Sequence, residues 1–336
     1  MILIDAVYIH EAGGKTLLNY LIEKLCDQEN EKVFLLLDDR LEGLKKPPFK
    51  YLKIKPSEKA RFYFYKKRAI EFSKIFCLSN VPPPIKTSIK TYIYFHNELL
   101  IDSNNSNFNL INKLKFLIKR FYIKLKNNKN YIWLVQTKIL RRKLSKVLKK
   151  NKIIIAPFYF DYFQNLNLKK RTNSYIYVSG FNPHKNHFRL IKSFITASKK
   201  VNKNLSLTLT LNDTDFNSLM NSFKNIPNNL DIKNLGVLNF HQINEAYEKH
   251  EFLIYPSLKE SFGLPLIEAS IKNLYVLASN LEYVDNVIAP SMKFNPLDIN
   301  EISNTIINSL NLKDIQKPVV LVENRINLII KLLFDV

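Results

Sequence analysis

Residues 252–269, FLIYPSLKESFGLPLIEA, join an apolar run to a polar loop and the beginning of a helix. The apolar run Phe252–Tyr255 predicts a buried strand. We expect a helix to begin near Pro265, because proline is well tolerated in the first helical turn. Two carboxylates, Glu260 in the loop and Glu268 one turn into the helix, would then follow the carboxyl end of this strand.

The loop between this strand and this helix has the features of an anion site. The orphan amides and the dipole of a helix N-terminus both favour a phosphate group, and Gly263 permits close approach of the backbone. Carboxylates beside the phosphate could accept hydrogen bonds from neutral hydroxyls. The stretch therefore predicts a nucleotide-sugar site, with the diphosphate at the amides and the hydroxyls at Glu260 and Glu268. The alternative is an ordinary strand, loop and helix with two solvated acids.

Strand-like runs and helical patterns alternate along the rest of the chain, which indicates an α/β protein with mostly parallel sheets. The strand-like runs are residues 2–9, 32–37, 91–95, 131–135, 152–156, 175–178, 205–211, 232–236, 252–255 and 275–278. A chain of 336 residues exceeds the size at which one core stops growing, so two domains are expected. We predict two Rossmann-like, doubly wound domains that face a central cleft.

The expected domain boundary lies near Pro157 and the polar stretch of residues 164–174. We predict an N-terminal, acceptor-side domain over residues 1–160 and a C-terminal, nucleotide-sugar-binding domain over residues 161–322. The last segment, residues 323–336, contains an amphipathic helix that could cross back onto the first domain.

Composition excludes several classes of protein. The hydrophobic fraction of 46% is that of a packed globular protein and excludes intrinsic disorder. Two cysteines exclude a disulfide framework or a cysteine-based zinc site, and they fit a reducing cytoplasm. No apolar run is long enough to span a bilayer, and the N-terminus predicts a strand rather than a signal peptide. We therefore expect a cytoplasmic protein.

The net charge of +22 lies in the first part of the chain. Residues 1–199 carry 39 Lys and Arg against 14 Asp and Glu, whereas residues 200–336 carry 12 against 15. A surface of one sign attracts polyanions. Residues 59–76, KARFYFYKKRAIEFSKIF, resemble an amphipathic helix at an anionic membrane surface. The alternatives are a solvated helix over core aromatics and, for the basic half as a whole, nucleic-acid binding.

The segment PSLKESFGLPLIEA resembles the E-x7-E signature of retaining glycosyltransferases of the family 4 type, which have the GT-B fold. The resemblance implies that Glu260 lies beside the donor sugar and that Glu268 binds the ribose hydroxyls. The residues between them, Ser261, Phe262, Gly263 and Leu264, would belong to the donor site.

A second segment, YVSGFNPHKNHFRLIKSF over residues 177–194, resembles the phosphate-binding stretch of the same family. The resemblance assigns Lys185 to the donor diphosphate, where a lysine can neutralise the leaving group as its charge develops. Asn186 and Gly180 would also contact the donor, and Gly180 stands where many members have an arginine. His184 and His187 could suggest a metal site, but no third ligand follows at a suitable spacing, so we predict a polar loop.

The N-terminal part contributes its own candidates. Gly13 and Gly14 are expected in a loop after the first strand, and the resemblance implies that this loop lies beside the donor phosphate and the acceptor. His96, at the end of a strand, resembles the histidine that contacts the sugar in this family, and a buried structural histidine is the alternative. Gln136 and Thr137 end another strand at the same rim.

The resemblance implies transfer of a sugar with retention of anomeric configuration, with no cofactor and no obligatory metal. The acceptor would be a saccharide, with a lipid-pyrophosphate-linked one favoured by the basic first domain, in the synthesis of O-antigen, capsule or lipooligosaccharide. The enzyme would work as a peripheral protein at the inner face of the plasma membrane. A GT-B epimerase of nucleotide sugars, a non-catalytic GT-B subunit and a basic nucleic-acid-binding protein remain alternatives.

Overall fold

The computed structural model describes residues 1–28, 32–44, 47–101, 110–161, 165–311, 313 and 315–335. The chain divides into two compact units. Unit 1 comprises Met1–Phe160 together with Glu323–Val336, and unit 2 comprises Asp161–Val322. Among the described residues, no helix is both long enough and apolar enough to span a membrane.

Unit 1 is a parallel sheet with helical connections. Over the described residues its strands lie in the order β3-β2-β1-β4-β5-β6-β7, which is the Rossmann order with one further strand. Its strands are β1 (Ile2–Ala6), β2 (Val33–Asp38), β3 (Lys50–Ile54), β4 (Lys74–Cys77), β5 (Lys90–Phe95), β6 (Ile132–Val135) and β7 (Lys152–Ile155). Its helices are α1 (Ala12–Cys26), α2 (Glu58–Arg68), α3 (Leu110–Lys126), α4 (Lys138–Val147) and α11 (Ile326–Phe334).

Unit 2 has the same Rossmann-like arrangement. Its main sheet is parallel, in the order β10-β9-β8-β11-β12-β14, and a short antiparallel pair joins β13 to β15. The strands are β8 (Ser174–Tyr177), β9 (Leu205–Leu209), β10 (Leu230–Asn234), β11 (Phe252–Tyr255), β12 (Tyr275–Ser279), β13 (Ile288–Ala289), β14 (Met292–Phe294) and β15 (Val319–Val320). The helices are α5 (His187–Ser198), α6 (Asp213–Met220), α7 (Phe240–Lys249), α8 (Leu264–Ile271), α9 (Glu282–Asp285) and α10 (Ile299–Asn308). The predicted fold class, two doubly wound parallel α/β domains, is confirmed.

The core of unit 1 explains why its central strands are almost continuously apolar. Every residue of β1 and β2 is buried, because helices cover both faces of the sheet. Two charged residues, Asp5 in β1 and Asp38 in β2, are the exceptions. Asp5 pairs with Arg61 of α2 at 2.8 Å, and both side chains are fully buried. The Tyr65 hydroxyl donates to the same carboxylate at 2.8 Å, so the buried charge is satisfied.

The prediction of one amphipathic helix over residues 59–76 is wrong in its second half. Helix α2 ends at Arg68, and Lys74–Cys77 form strand β4 beside β1. The apolar run that ends this stretch is buried in the sheet, and burial there outweighs helical propensity. Two aromatics of α2, Phe64 and Tyr65, also lie in the core rather than on the surface.

The first strand and the first helix also differ from the prediction. Strand β1 ends at Ala6 rather than at residue 9, because Tyr8 adopts a left-handed conformation with φ of 81°. The Tyr8 amide donates to Asp38 Oδ2 at 3.0 Å, which holds this turn. Helix α1 then begins at Ala12, so Gly13 and Gly14 lie in its first turn and not in a loop. The edge strand β3, whose residues are exposed or half-buried, lacks the apolar run that would have revealed it.

The C-terminal helix α11 belongs to unit 1. The Asn324 side chain donates to the Tyr20 hydroxyl of α1 at 3.0 Å, and the Arg325 amide donates to the Pro157 carbonyl at 2.7 Å. The apolar face of α11 is buried through Ile326, Ile329 and Leu333. The segment after Val322 therefore completes the core of the first unit.

Candidate functional site

The order of strands in unit 2 determines where a ligand is expected. Strand β8 lies between β9 and β11, so the chain reverses its direction of winding between β8 and β11. Ligands of doubly wound sheets bind beyond the carboxyl ends of the strands at this switch point. The loops that follow β8 and β11 carry the two residues that the sequence assigned to catalysis in this unit, Lys185 and Glu260.

These two side chains meet. The Lys185 ammonium lies 2.5 Å from Glu260 Oε1, and the side chains are 16% and 13% exposed respectively. The same carboxylate oxygen accepts hydrogen bonds from the Tyr255 hydroxyl at 2.9 Å and from Ser257 Oγ at 2.6 Å. A carboxylate held by one cation and two hydroxyls has a fixed position. The pair therefore presents a positive and a negative group side by side at the switch point.

The loop that carries Lys185 is held by its backbone. Residues Pro183–Lys185 form one turn of 3-10 helix, and the Tyr177 hydroxyl of β8 donates to the Lys185 carbonyl at 2.9 Å. Asn186 then takes a left-handed conformation with φ of 64°. Asparagine adopts this conformation more readily than most residues, which explains its position between the turn and helix α5.

A backbone hydrogen bond and the side chain of Asn186 fix the two loops to each other. The Leu258 amide donates to the His184 carbonyl at 2.7 Å. The Asn186 amide group donates to the Pro256 carbonyl at 3.2 Å and to the Pro296 carbonyl at 2.7 Å. Its oxygen accepts from Arg189 at 2.9 Å. The Asn186 side chain, predicted to contact the donor, thus joins the loops after β8 and β11.

Helix α8 begins directly after the loop of Glu260. Gly263 is its N-cap, with φ of 82°, and a Cβ there would lie 3.0 Å from Leu266 Cδ1. Leu264 is the first residue of the helix, and Phe262 is 3% exposed. Ser261 is half-buried in the same loop. The sequence rule for proline holds, since Pro265 lies in the first turn.

Glu268 occupies a different environment from Glu260. It is buried one turn into α8, and Oε2 accepts a hydrogen bond from the Tyr247 hydroxyl of α7 at 2.8 Å. Burial raises the pKa of the Glu268 carboxyl to about 7, and the hydrogen bond from Tyr247 only partly offsets this. The sequence could not show this shift, because the burial that raises the pKa depends on how α8 packs in the folded unit.

The two histidines of the loop after β8 are held as neutral groups. Burial lowers the pKa of His187 to about 3, and its Nε2 lies 3.0 Å from Ser179 Oγ. Burial also lowers the pKa of His184, with a further contribution from the Lys185 charge. Among the described residues, no three His, Cys, Asp or Glu side chains are grouped so that they could hold a metal ion.

The chain contains one Asp-x-Asp spacing, at Asp213 and Asp215. Both residues lie in the first turn of α6, where acidic side chains complement the helix dipole. Asn212 caps this helix and also donates to Asp215 Oδ2 at 2.6 Å. These contacts account for the two carboxylates as parts of a helix N-terminus.

In unit 1 the predicted residues lie near the carboxyl ends of β1 and β5. His96 follows β5, and its amide donates to Asn80 Oδ1 at 2.6 Å. Burial lowers the pKa of His96 to about 4, and its buried Nδ1 has no hydrogen-bond partner among the described residues. A neutral imidazole with one uncommitted ring nitrogen can exchange a hydrogen bond with a hydroxyl.

The remaining predicted positions have local explanations. Thr137 is the N-cap of α4 and accepts from the Leu140 amide at 3.1 Å, while Gln136 is buried beside it. Gly180 is exposed, and a Cβ there would meet nothing within 4 Å. A Cβ at Gly14 would lie 3.2 Å from Ile9 Cδ1, which brings the first turn of α1 close to the loop before it.

Comparison with known proteins agrees with this arrangement. The family described as "Glycosyl transferases group 1" matches residues 158–324. The O-antigen chain mannosyltransferase RfbU of Salmonella typhimurium is 30% identical over 124 residues, 36% of this chain and 33% of RfbU. The capsular polysaccharide biosynthesis glycosyltransferase CapH of Staphylococcus aureus is 32% identical over 136 residues, 40% of this chain and 38% of CapH. The matched regions thus span between a third and two-fifths of these relatives.

A solved structure with a similar fold covers nearly the whole chain. Alr3699/HepE of Anabaena, in complex with UDP-glucose, superposes with a TM-score of 0.65 at 13% sequence identity, covering 99% of this chain and 95% of that one. At this identity the likeness concerns the fold alone, which is the GT-B type.

Proposed function

We propose that the chain transfers a sugar from a nucleotide-sugar donor to a saccharide acceptor, because residues 158–324 match the group 1 glycosyltransferase family. The observation that carries the proposal is the Lys185–Glu260 pair at the switch point of unit 2. A nucleic-acid-binding protein has no need of this pair or of the conformationally restricted loops around it. The relatives RfbU and CapH, named as a mannosyltransferase and a capsular polysaccharide glycosyltransferase, support the same class of reaction.

Each end of the donor has a group of suitable chemistry. The diphosphate is placed at Lys185 and at the N-terminus of α8, where a cation and first-turn amides favour negative charge. The sugar lies beside Glu260, whose carboxylate accepts hydrogen bonds from its hydroxyls. The ribose hydroxyls donate to Glu268. Gly263 permits the backbone to approach the phosphates closely at this turn.

The reaction proceeds with retention of configuration. The bond between the anomeric carbon and the diphosphate oxygen breaks, and a bond to the acceptor oxygen forms on the same face of the sugar. The acceptor proton passes to the departing diphosphate. Lys185 neutralises the charge that develops on this leaving group, an interaction strongest in the transition state. No metal ion takes part, and the cation Lys185 performs the neutralisation.

The acceptor is a lipid-linked saccharide at the cytoplasmic face of the plasma membrane. Unit 1 supports this, because it carries 34 Lys and Arg against 15 Asp and Glu, whereas unit 2 carries 17 against 14. A strongly basic unit is attracted to anionic lipid. The product is a cell-surface polysaccharide, as the names of RfbU and CapH indicate for those proteins.

A transfer assay tests the proposal directly. The purified chain is incubated with UDP-, GDP- and ADP-sugars, a lipid-linked saccharide and EDTA, and the anomeric proton of the product is read by NMR. We expect transfer with retention, and we expect Glu260→Ala to lose at least about 100-fold in rate because it removes a group at the reacting sugar. Glu245→Ala is the matched control, since Glu245 forms a surface ion pair with Lys249 in the same unit.

Three results would reject parts of this proposal. Release of an epimerised free donor without an acceptor would identify an epimerase instead. Inversion at the anomeric carbon, or loss of all transfer in EDTA, would reject the retaining or the metal-independent mechanism. Normal transfer by Glu260→Ala would remove this residue from the site.

A further inference from the structure

Helix α3 of unit 1 presents a row of apolar side chains to solvent. The row begins at Leu114 and continues at positions three, four, seven and eleven residues later, which places all its members on one face. Each member is between 54% and 68% exposed. The five residues, which we name the α3 apolar stripe, are Leu114, Leu117, Ile118, Phe121 and Leu125.

The stripe is not the face by which α3 packs on unit 1. Ile123 lies in the core and is 2% exposed. Phe116, about two turns earlier in the helix, packs against the same core. The Tyr122 hydroxyl donates to Glu58 of α2. Ile123 and Phe116 lie on the side of the helix opposite the stripe, and Tyr122 lies between the two faces, so α3 has one apolar face toward the core and another toward solvent.

Positive charge accompanies the stripe. Helix α3 contains six Lys and Arg and no acidic residue. Lys115, Lys119 and Lys124 are exposed. At the C-terminal end of the helix, Lys124 lines an open depression of about 430 Å³ with four lysines from neighbouring segments. These four are Lys129, Lys146, Lys149 and Lys150.

This combination selects among the partners that could cover the stripe. A second copy of the chain would bring two strongly basic helices together, and like charges oppose that contact. A nucleic acid would match the lysines but would leave five large apolar side chains without a role. An anionic bilayer matches both, since apolar side chains enter the boundary between headgroups and acyl chains while lysines meet lipid phosphates.

We propose that α3 lies in the surface of an anionic membrane, with the α3 apolar stripe inserted and the five-lysine depression bound to lipid headgroups. The assignment differs from the one that the sequence suggested, residues 59–76, whose Phe64 and Tyr65 are buried in the core. It deepens the proposed function by naming the element that brings unit 1 to a membrane, and it rests on the surface of unit 1 alone.

Vesicle flotation of the full chain tests the stripe. Vesicles of phosphatidylcholine mixed with phosphatidylglycerol are compared with vesicles of phosphatidylcholine alone. We expect the wild-type chain to bind the anionic vesicles and L117N/F121N to bind at least about tenfold more weakly, because two inserted side chains are lost while the charge is unchanged. The matched control is V237N/L297N, which alters two exposed apolar residues of unit 2.

A second variant tests the depression. Replacement of Lys146, Lys149 and Lys150 by glutamine is expected to weaken binding by roughly 100-fold, since each basic residue near an anionic surface strengthens binding about fivefold. Added salt should weaken vesicle binding by the wild-type chain more than vesicle binding by this variant. Thermal unfolding of each variant verifies that unit 1 remains folded.

Several outcomes would overturn the inference. The wild-type chain could fail to float with anionic vesicles, or L117N/F121N could bind them as strongly as the wild type. V237N/L297N could also lose as much binding as L117N/F121N. A wild-type dimer that L117N/F121N converts to a monomer would instead make the stripe a contact between copies. Loss of RNA binding rather than vesicle binding would assign α3 to nucleic acid. A measurement of nucleotide binding by L117N/F121N distinguishes failure of this inference from failure of the proposed function. The nucleotide is proposed to bind unit 2, so its binding should be normal in this variant.

Discussion

At the scale of single residues, the two carboxylates of the candidate site differ in environment. Glu260 accepts hydrogen bonds from Lys185, Tyr255 and Ser257, whereas Glu268 is buried with one hydrogen bond from Tyr247. Burial without a cation favours the neutral carboxyl, which is why the pKa of Glu268 is raised to about 7. Their spacing in the sequence predicts two acids near one ligand, but it does not distinguish their protonation states.

If Glu268 binds the ribose as proposed, this shift is expected to make nucleotide binding depend on pH. A carboxylate accepts hydrogen bonds from both ribose hydroxyls, whereas the protonated group must donate one, so affinity is expected to rise as the pH increases through about 7. Isothermal titration calorimetry with a nucleoside diphosphate between pH 5.5 and 8.5 measures this affinity. We expect the affinity to change by roughly tenfold or less across the transition. In Glu268→Gln the part of the pH dependence that comes from Glu268 should disappear, and only the part that comes from titration of the phosphate should remain. An identical pH profile in both proteins would exclude Glu268 from the ribose site.

The strand, loop and helix pattern of residues 252–269 singled out Glu260 and Glu268, and the resemblance to a known family singled out Lys185. Their neighbours were not singled out, because Tyr255, Ser257 and Tyr247 act through contacts that depend on the fold. Asn186 was singled out as a donor contact, but the sequence did not reveal that its side chain donates to the carbonyls of Pro256 and Pro296. Residues that touch a ligand often lie in a recognisable motif, whereas residues that position them need not.

At the scale of elements, the start of α8 depends on a backbone conformation. Gly263 has φ of 82°, a region that costs other residues about 1–2 kcal/mol. Gly263→Ala is therefore expected to destabilise unit 2 by about 1–2 kcal/mol and to weaken binding of a nucleoside diphosphate at this turn. Urea unfolding followed by circular dichroism, together with nucleotide titration, measures both effects.

Gly180→Ala is the control for this substitution. Gly180 belongs to the same unit, but its φ is not positive and a Cβ there would meet nothing within 4 Å. Its stability should stay within about 0.5 kcal/mol of the wild type. Equal free energies of unfolding of the two alanine variants would show that the left-handed conformation at Gly263 does not contribute to the stability of unit 2.

Elements with strong apolar runs were predicted well, and elements defined by tertiary contacts were not. Strand β11 matches its prediction at both ends, because four apolar residues are bounded by a polar loop. Strand β3 contains two lysines among five residues at an exposed edge of the sheet, so it has no continuous apolar run that would predict a strand. The end of β1 depends on the Tyr8 amide reaching Asp38 of the neighbouring strand, which no local pattern reveals.

At the scale of the whole molecule, the chain ends in the unit where it begins. Ile329 of α11 is fully buried in unit 1, so Ile329→Ala should destabilise that unit by about 2–5 kcal/mol. The single tryptophan of the chain, Trp133, lies in β6 and reports unfolding of unit 1 by its fluorescence. We therefore expect the Trp133 transition in urea to shift to a lower concentration.

The matched control for this prediction is Ile306→Ala in α10. Ile306 is equally buried, but it lies in unit 2. It should leave the Trp133 transition in place while lowering the stability seen by circular dichroism. A Trp133 transition that shifts with Ile306→Ala and not with Ile329→Ala would contradict the assignment of α11 to unit 1.

The central claim is that unit 2 binds the diphosphate of a nucleotide-sugar at Lys185, and a thermal-shift panel of UDP, GDP, ADP, CMP and a short RNA tests it most directly. A ligand that binds only the native chain must raise its unfolding temperature. We predict that one nucleoside diphosphate stabilises the wild-type chain in the presence of EDTA. Its affinity should fall about 10- to 100-fold in Lys185→Gln, because one charge-assisted hydrogen bond is lost, and remain normal in Lys249→Gln. Stabilisation by RNA alone, or equal binding by Lys185→Gln, would contradict the claim.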